Sequence, residues 1–184
     1  LRPEAKFSDG SAPTAEDVCD SFRLLKAHAI ETLRITIRDA EACDVLGLHE
    51  LRYRFTGDKT RDLPLTVAKL PIFSKAFYSK REFAETTLDP PLGSGPYVVG
   101  DLKQGRTIVY KRNPDYWAKD LPVNRGRWNF DEIRYDFYRD PNALHEAFKR
   151  NLFDARKESD PARWMQGYDF PALRDGQVVK ETLT

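Results

Sequence analysis

"FSDGSAPTAEDV", Phe7 to Val18, carries two kinds of carboxylate, two serines, a threonine and a glycine within twelve residues. Such a stretch could hold a metal or cradle a phosphate, but each polar residue has a local structural use. Asp9-Gly10 is a turn dipeptide, because glycine takes positive φ without a Cβ clash. Thr14 followed three residues later by Asp17 is a capping box, and Glu16 and Asp17 both suit the positive end of a helix. Val18, Phe22, Leu25 and Ala29 then recur at helical spacing, which predicts an amphipathic helix of roughly four turns. Ahead of it, the alternation Leu1, Pro3, Ala5, Phe7 predicts the end of a strand.

Outward from this helix the pattern changes period. Leu33, Ile35 and Ile37 alternate, as do Leu51, Tyr53 and Phe55, so "LRITIRDAEAC" and "LHELRYRF" are expected to form a β-hairpin turning at "DVLG", with Arg52 and Arg54 facing water. "RDLPLTVAKLP" is a short helix entered through Pro64 and ended before Pro71. The cluster "DPPLGSGP" is the strongest internal punctuation. Beyond it "YVVGDL" and "RTIVYKR" flank a turn at Gly105, and Asn113-Pro114 turns the chain before Tyr116 and Trp117. "FDEIRYDFY" alternates Ile133, Tyr135 and Phe137 as a strand, and "DPNALHEAFKRN" is a helix with Asp140 as N-cap, an inner stripe of Leu144, Ala147 and Phe148, and Asn151 just past its end. "LFDAR" is expected as a short strand, "DPARWMQGY" repeats the Asp-Pro helix start, and "RDGQVVKETL" is expected as a turn and strand. Strands separated by helices, with hairpins, define an α/β class: a mixed β-sheet with flanking helices.

The bulk numbers exclude several functions. Thirty basic residues face 29 acidic ones among 184, so charge gives no reason to expect nucleic acid or an anionic membrane as partner. No run of 18 apolar residues is present, and no basic-then-apolar leader is visible. The chain begins "LRPEAKF" without an initiator Met and reads as a piece of something longer. Cys19 and Cys43 have no zinc-like spacing; they are expected as half-buried thiols, although one disulfide is compatible with an oxidising compartment.

Catalytic signatures are lacking. Gly93-Ser94-Gly95 runs through Pro96 into a strand rather than into a helix by way of a lysine, so it is no P-loop. His28, His49 and His145 lie far apart without metal-like partners and are expected as surface or partly buried residues. Ser94 has no nucleophile-elbow context. No enzyme, no metal and no cofactor is nominated.

Four phrases in order, "FSDGSAPTAEDV", "PLGSGPYVV", "YKRNPDYW" and "EAFKRNLFDAR", carry a resemblance. The chain resembles the extracellular solute-binding proteins of peptide and nickel importers, with patterns F-x-D-G-x-x-x-T-A-x-D-V, G-[ST]-G-P-Y and N-P-x-Y-W. Asp9, Gly10, Thr14, Asp17, Gly93, Gly95, Pro96, Tyr97, Asn113, Pro114, Tyr116 and Trp117 are its structural motif residues. "GYDFPALRDGQVVKETL" looks closest to the branch serving oligopeptide and microcin C uptake. Cys19 and Asp20 depart from the family pattern, as does Asn151 in place of glycine.

The resemblance implies part of one lobe of a type II periplasmic-binding-protein fold, with residues 1–70 in a small subdomain and 71–184 in the lobe's core, the second lobe being absent. It further implies a non-enzymatic, exported, periplasmic or extracellular protein that passes a peptide or peptide-like solute to the membrane permease of an ABC importer; a solute sensor built on the same fold is the alternative. An uncovered seam on such a piece implies self-association. Loops at strand ends, where open α/β sheets meet ligands, nominate Arg139, Arg156, Glu158 and Trp164 for the cleft.

Overall fold

A computed structural model describes residues 1–57, 61–85 and 87–182. The chain forms two units, Leu1–Tyr135 and Asp136–Thr184.

In the first unit, helix α1 (Ala15–His28) starts at the expected capping box. The Asp17 amide donates to Thr14 Oγ1 at 3.3 Å, while Asp17 Oδ2 accepts the Thr14 amide at 2.7 Å. The inner face of α1, Phe22 and Leu25, packs with Ile37, Ala40, Leu63 and Val67 into the core. Asp9 binds back to the Ser11 amide at 2.9 Å, and Gly10 sits at φ +87°, so the opening turn forms as expected.

Two expectations nearby are corrected. Residues 1–7 form no strand; the Ala5 amide instead closes a turn on the Arg2 carbonyl, with Ala5 and Phe7 buried. The segment around Ile35 is helix α2 (Glu31–Thr36), not strand. Leu33 and Ile37 are four apart and both meet the core, leaving Ile35 55% exposed, so helical spacing accounts for the burial better than alternation. The hairpin itself is β1 (Ala40–Val45) with β2 (Leu51–Phe55), antiparallel, pairing Cys43 with Tyr53. Tyr53 and Phe55 face the core while Arg52 and Arg54 are exposed.

Cys19 and Cys43 are joined by a disulfide, which overturns the expectation of free thiols. The reason is spatial: α1 lies on β1, bringing the two Cα atoms to 5.2 Å across 24 residues of sequence, inside the usual range for a bridge.

Helices α3 (Leu63–Ala68) and α4 (Lys75–Tyr78) follow. Strands β3 (Tyr97–Lys103) and β4 (Thr107–Arg112) make an antiparallel hairpin with Gly105 at φ +66°, and β5 (Glu132–Asp136) adds to the far side of β4. The "DPPLGSGP" cluster is tied into this unit on both sides. The Gly93 carbonyl accepts the Ser8 amide at 2.7 Å, the Ser94 carbonyl accepts Trp117 Nε1 at 3.1 Å, and the Pro96 carbonyl accepts the Asn113 amide at 2.8 Å. Asn113 Oδ1 takes the Asp115 amide at 3.0 Å ahead of the half-buried Tyr116 and Trp117. These bonds tie the motif segments to one another. Along β5 the expected inner face is wet: Tyr135 is 54% exposed and Phe137, just beyond it, 60%.

The second unit is built from α5 (Pro141–Lys149), α6 (Pro161–Gln166) and α7 (Pro171–Arg174), each starting at proline, which is pre-set for the first helical turn. Asp140 caps α5 through the Asn142 amide, and Asp160 caps α6 through the Ala162 and Arg163 amides. Asn151 sits at φ +56° after α5; its amide binds the Phe148 carbonyl and the Leu152 amide binds Ala147, a Schellman closure. Asparagine therefore takes the left-handed position as expected. "LFDAR" is not a strand, and residues 175–182 contain none either; Leu183 lies outside the described residues. His145, expected at or near the surface, is buried, with Nε2 2.9 Å from the Gly167 carbonyl.

Candidate functional site

The chain leaving the Asn151 turn carries three charges in succession, Arg156, Lys157 and Glu158, and then meets the Asp160-Pro161 start of α6. That start sets the phase of α6, and with it which residues face back. Arg163 and Trp164 lie on its first turns, and Tyr168 follows just past its end.

Their side chains converge on Glu158. Arg156 Nη2 donates to Glu158 Oε2 at 2.7 Å, and the two side chains are only 5% and 4% exposed. The Tyr168 hydroxyl donates to the same oxygen at 3.2 Å. Oε1 accepts the Asp160 amide at 3.0 Å and lies 3.6 Å from Arg163 Nη1. Burial pushes the Glu158 carboxyl up, but the Asp160 amide, Arg156, the Tyr168 hydroxyl and Arg163 together outweigh it and hold the group below its ordinary value. Burial raises the Tyr168 phenol, against an opposing pull from Arg156.

Two cavities of about 630 Å³ and 650 Å³ share Ala155, Arg156, Trp164 and Glu181 as lining. Aromatic rings give the first of them its apolar wall: Phe148, Phe153, Tyr168 and Phe170. The Lys180 ammonium lies 4.3 Å from the Trp164 ring centroid and donates to the Trp164 carbonyl. Volumes of this size suit a small ligand or a few residues of peptide.

Of the four residues nominated from sequence, Arg156, Glu158 and Trp164 come together here. Arg139 is exposed in the segment between β5 and α5 and lines neither cavity. Sequence reading missed Arg163, Tyr168 and Lys180. The four-residue interval from Trp164 to Tyr168 was the signal available for the second of these; Lys180 gave none, since its place depends on how the chain returns after α7. No group of three or more metal-ligating side chains is present among the described residues.

Comparison with known proteins defines the class. The model of the bacterial extracellular solute-binding proteins, family 5 Middle, matches residues 1–183, and the chain belongs to that family. This is a solute-binding family that works with ABC transporters, not a family of enzymes.

YejA of Escherichia coli K12 is 39% identical over 181 residues, covering 98% of this chain and 30% of that protein. The Agrobacterium fabrum protein named "Probable peptide-binding protein YejA" is 37% identical over 192 residues, covering 100% and 31%. Among solved structures, the agropinic acid complex of AgaA from Agrobacterium tumefaciens R10 superposes with a TM-score of 0.64 at 24% identity, over 84% of this chain and 30% of that one. The chain spans about 30% of the length of the curated relatives it matches, and its fold is that of part of a periplasmic-binding-protein lobe. No helix among the described residues is long and apolar enough to cross a membrane.

Proposed function

We propose that the chain is part of the substrate-binding component of an ABC importer, which holds a peptide or peptide-like solute in a cleft between two lobes and delivers it to a membrane permease. The observation that carries this reading is the buried Arg156–Glu158 pair walled by Trp164 between two cavities, in a family of extracellular solute-binding proteins. A name given to one relative, peptide-binding protein, supports the solute class. Residues 1–70 belong to a small subdomain of the first lobe and 71–184 to its core. Arg139, Arg156, Glu158 and Trp164 belong to the cleft, and a seam left open by the second lobe self-associates in the isolated piece. The protein works outside the cytoplasm, in the periplasm or beyond, and the Cys19–Cys43 bridge supports an oxidising compartment.

Calorimetric titration of the full-length protein with a pool of tri- to hexapeptides tests the reading. Binding is expected, weakened about tenfold by Trp164→Ala through lost aromatic contact. Absence of binding removes the peptide reading. Unchanged affinity in both Trp164→Ala and Arg139→Ala removes the cleft assignment.

A further inference from the structure

Arg156 and Glu158 look like a balanced pair, but their hydrogen-bonding capacities are spent very differently. Both oxygens of Glu158 are engaged, Oε2 by Arg156 and Tyr168, Oε1 by the Asp160 amide with Arg163 close by. A carboxylate has about four acceptor positions; three are taken by hydrogen bonds and Arg163 stands 3.6 Å away, so Glu158 has little left for a cationic group of a solute.

Arg156 is the reverse case. It spends Nη2 on Glu158, while Nε and Nη1 are buried and have no hydrogen-bond partner among the described residues. These two nitrogens carry three N–H donors on a side chain that is 5% exposed. Leaving charged donors dry and unpaired is costly, and folded proteins answer such groups with an acceptor. Asp154 and Glu181 line the first cavity with Arg156, yet neither reaches Nε or Nη1. The ion pairs around Glu158 supply no such acceptor: Arg163 stands between Glu158 and Asp160, so two guanidinium groups meet two carboxylates while Nε and Nη1 of Arg156 stay without a partner among the described residues. The missing partner is an acceptor, and an anion suits it best.

We propose that Arg156 receives a carboxylate of the solute in the cavity walled by Trp164, and that Glu158 is a positioning residue that fixes the guanidinium without touching the solute. The solute class is then a peptide or peptide-like molecule with a free carboxylate, its apolar part against Trp164, Phe148 and Phe153. This deepens, and rests on, the peptide-binding reading given above.

The test uses full-length protein and two peptide pools made only from Ala, Phe and Ser, identical except that one ends in a free carboxylate and the other in an amide. The acid pool is expected to bind at least about tenfold more tightly to the wild type, the weight of charge-assisted hydrogen bonds in a buried site. Arg156→Lys, which keeps the charge and loses the planar fork, is expected to narrow that ratio, and Arg156→Gln to bring it near one. A ratio near one in the wild type, or a ratio unchanged in Arg156→Lys, overturns the assignment while leaving peptide binding intact. Failure of both pools to bind overturns the peptide-binding reading and this inference together. Should Arg156→Gln not fold, the wild-type ratio and Arg156→Lys still decide.

Discussion

The backbone amide of Lys75 donates to Asp17 Oδ1 at 2.8 Å, across 58 residues of sequence. The other oxygen of the same carboxylate closes the capping box with Thr14. Lys75 is the first residue of α4, so a single aspartate satisfies orphan amides at the starts of two helices. Ser21 reinforces the junction by accepting the Phe73 amide at 2.7 Å while donating to the Asp17 carbonyl at 2.6 Å.

Thr14→Ala is therefore expected to cost about 1 kcal/mol, one ordinary cap. Asp17→Ala leaves the Thr14 and Ser74 caps in place but strands the Thr14 and Lys75 amides that the carboxylate accepts, for about 2–3 kcal/mol. Urea unfolding of the two variants measures the difference. If Asp17→Ala costs no more than Thr14→Ala, the bond from the Lys75 amide contributes nothing.

The Cys19–Cys43 bridge ties α1 to β1 beside the main core. Closing a loop over this separation is worth about 3 kcal/mol on the chain-entropy account. Cys19 is fully buried, so reductant acts only as the chain opens. Denaturant midpoints with and without reductant are expected to differ for the wild type, while Cys19→Ala/Cys43→Ala shows the lower midpoint in both conditions. A reductant-insensitive wild type contradicts the bridge.

What was legible in the sequence was local. The α1 cap, the Asp-Pro starts of α5 and α6, the Gly105 turn and the Asn151 closure each depend on a few consecutive residues, and all are present. The errors arose where burial decides between two periods. Leu33 and Ile37 satisfy both a strand and a helix, and only their common contact with the core selects the helix. "LFDAR" has strand composition but finds no strand to pair with among the described residues. The disulfide and the Asp17–Lys75 bond were illegible because both join residues whose proximity exists only once α1 is packed. At the site, Arg156, Glu158 and Trp164 could be nominated from loops, but the approach of Arg163 and Tyr168 to Glu158 could not.

Gly167 fits where a side chain does not. A Cβ there would lie 2.8 Å from Arg163 Cγ, 2.9 Å from the Arg163 carbonyl oxygen and 3.3 Å from His145 Nε2. The carbonyl is fixed in α6, so the strain falls on the Gly167–His145 contact and on the Arg163 side chain that approaches Glu158. Gly167→Ala is expected to destabilise the protein by about 1–3 kcal/mol. Thermal denaturation checks it, and an unchanged midpoint shows that the α6 end yields freely.

Glu158 also sets a pH dependence. Its carboxyl is held below the ordinary range in the folded chain, so folding favours the ionised form. The stabilisation is fully present above the unfolded value, near about 4.3, and is lost as pH falls through the lowered folded value. Protonation would weaken the acceptor for Arg156 and Tyr168 and the charge facing Arg163, leaving the buried Arg156 guanidinium without its counter-charge. Wild-type stability is expected to be insensitive to this group from pH 5 to 7, within about the precision of such measurements, and to decline below pH 4. Glu158→Gln should be less stable at neutral pH, and the gap between the two proteins should close on acidification. Urea unfolding of both across pH 3 to 7 measures that gap; a constant gap throughout would show that the charge of Glu158 is not what holds Arg156 in place.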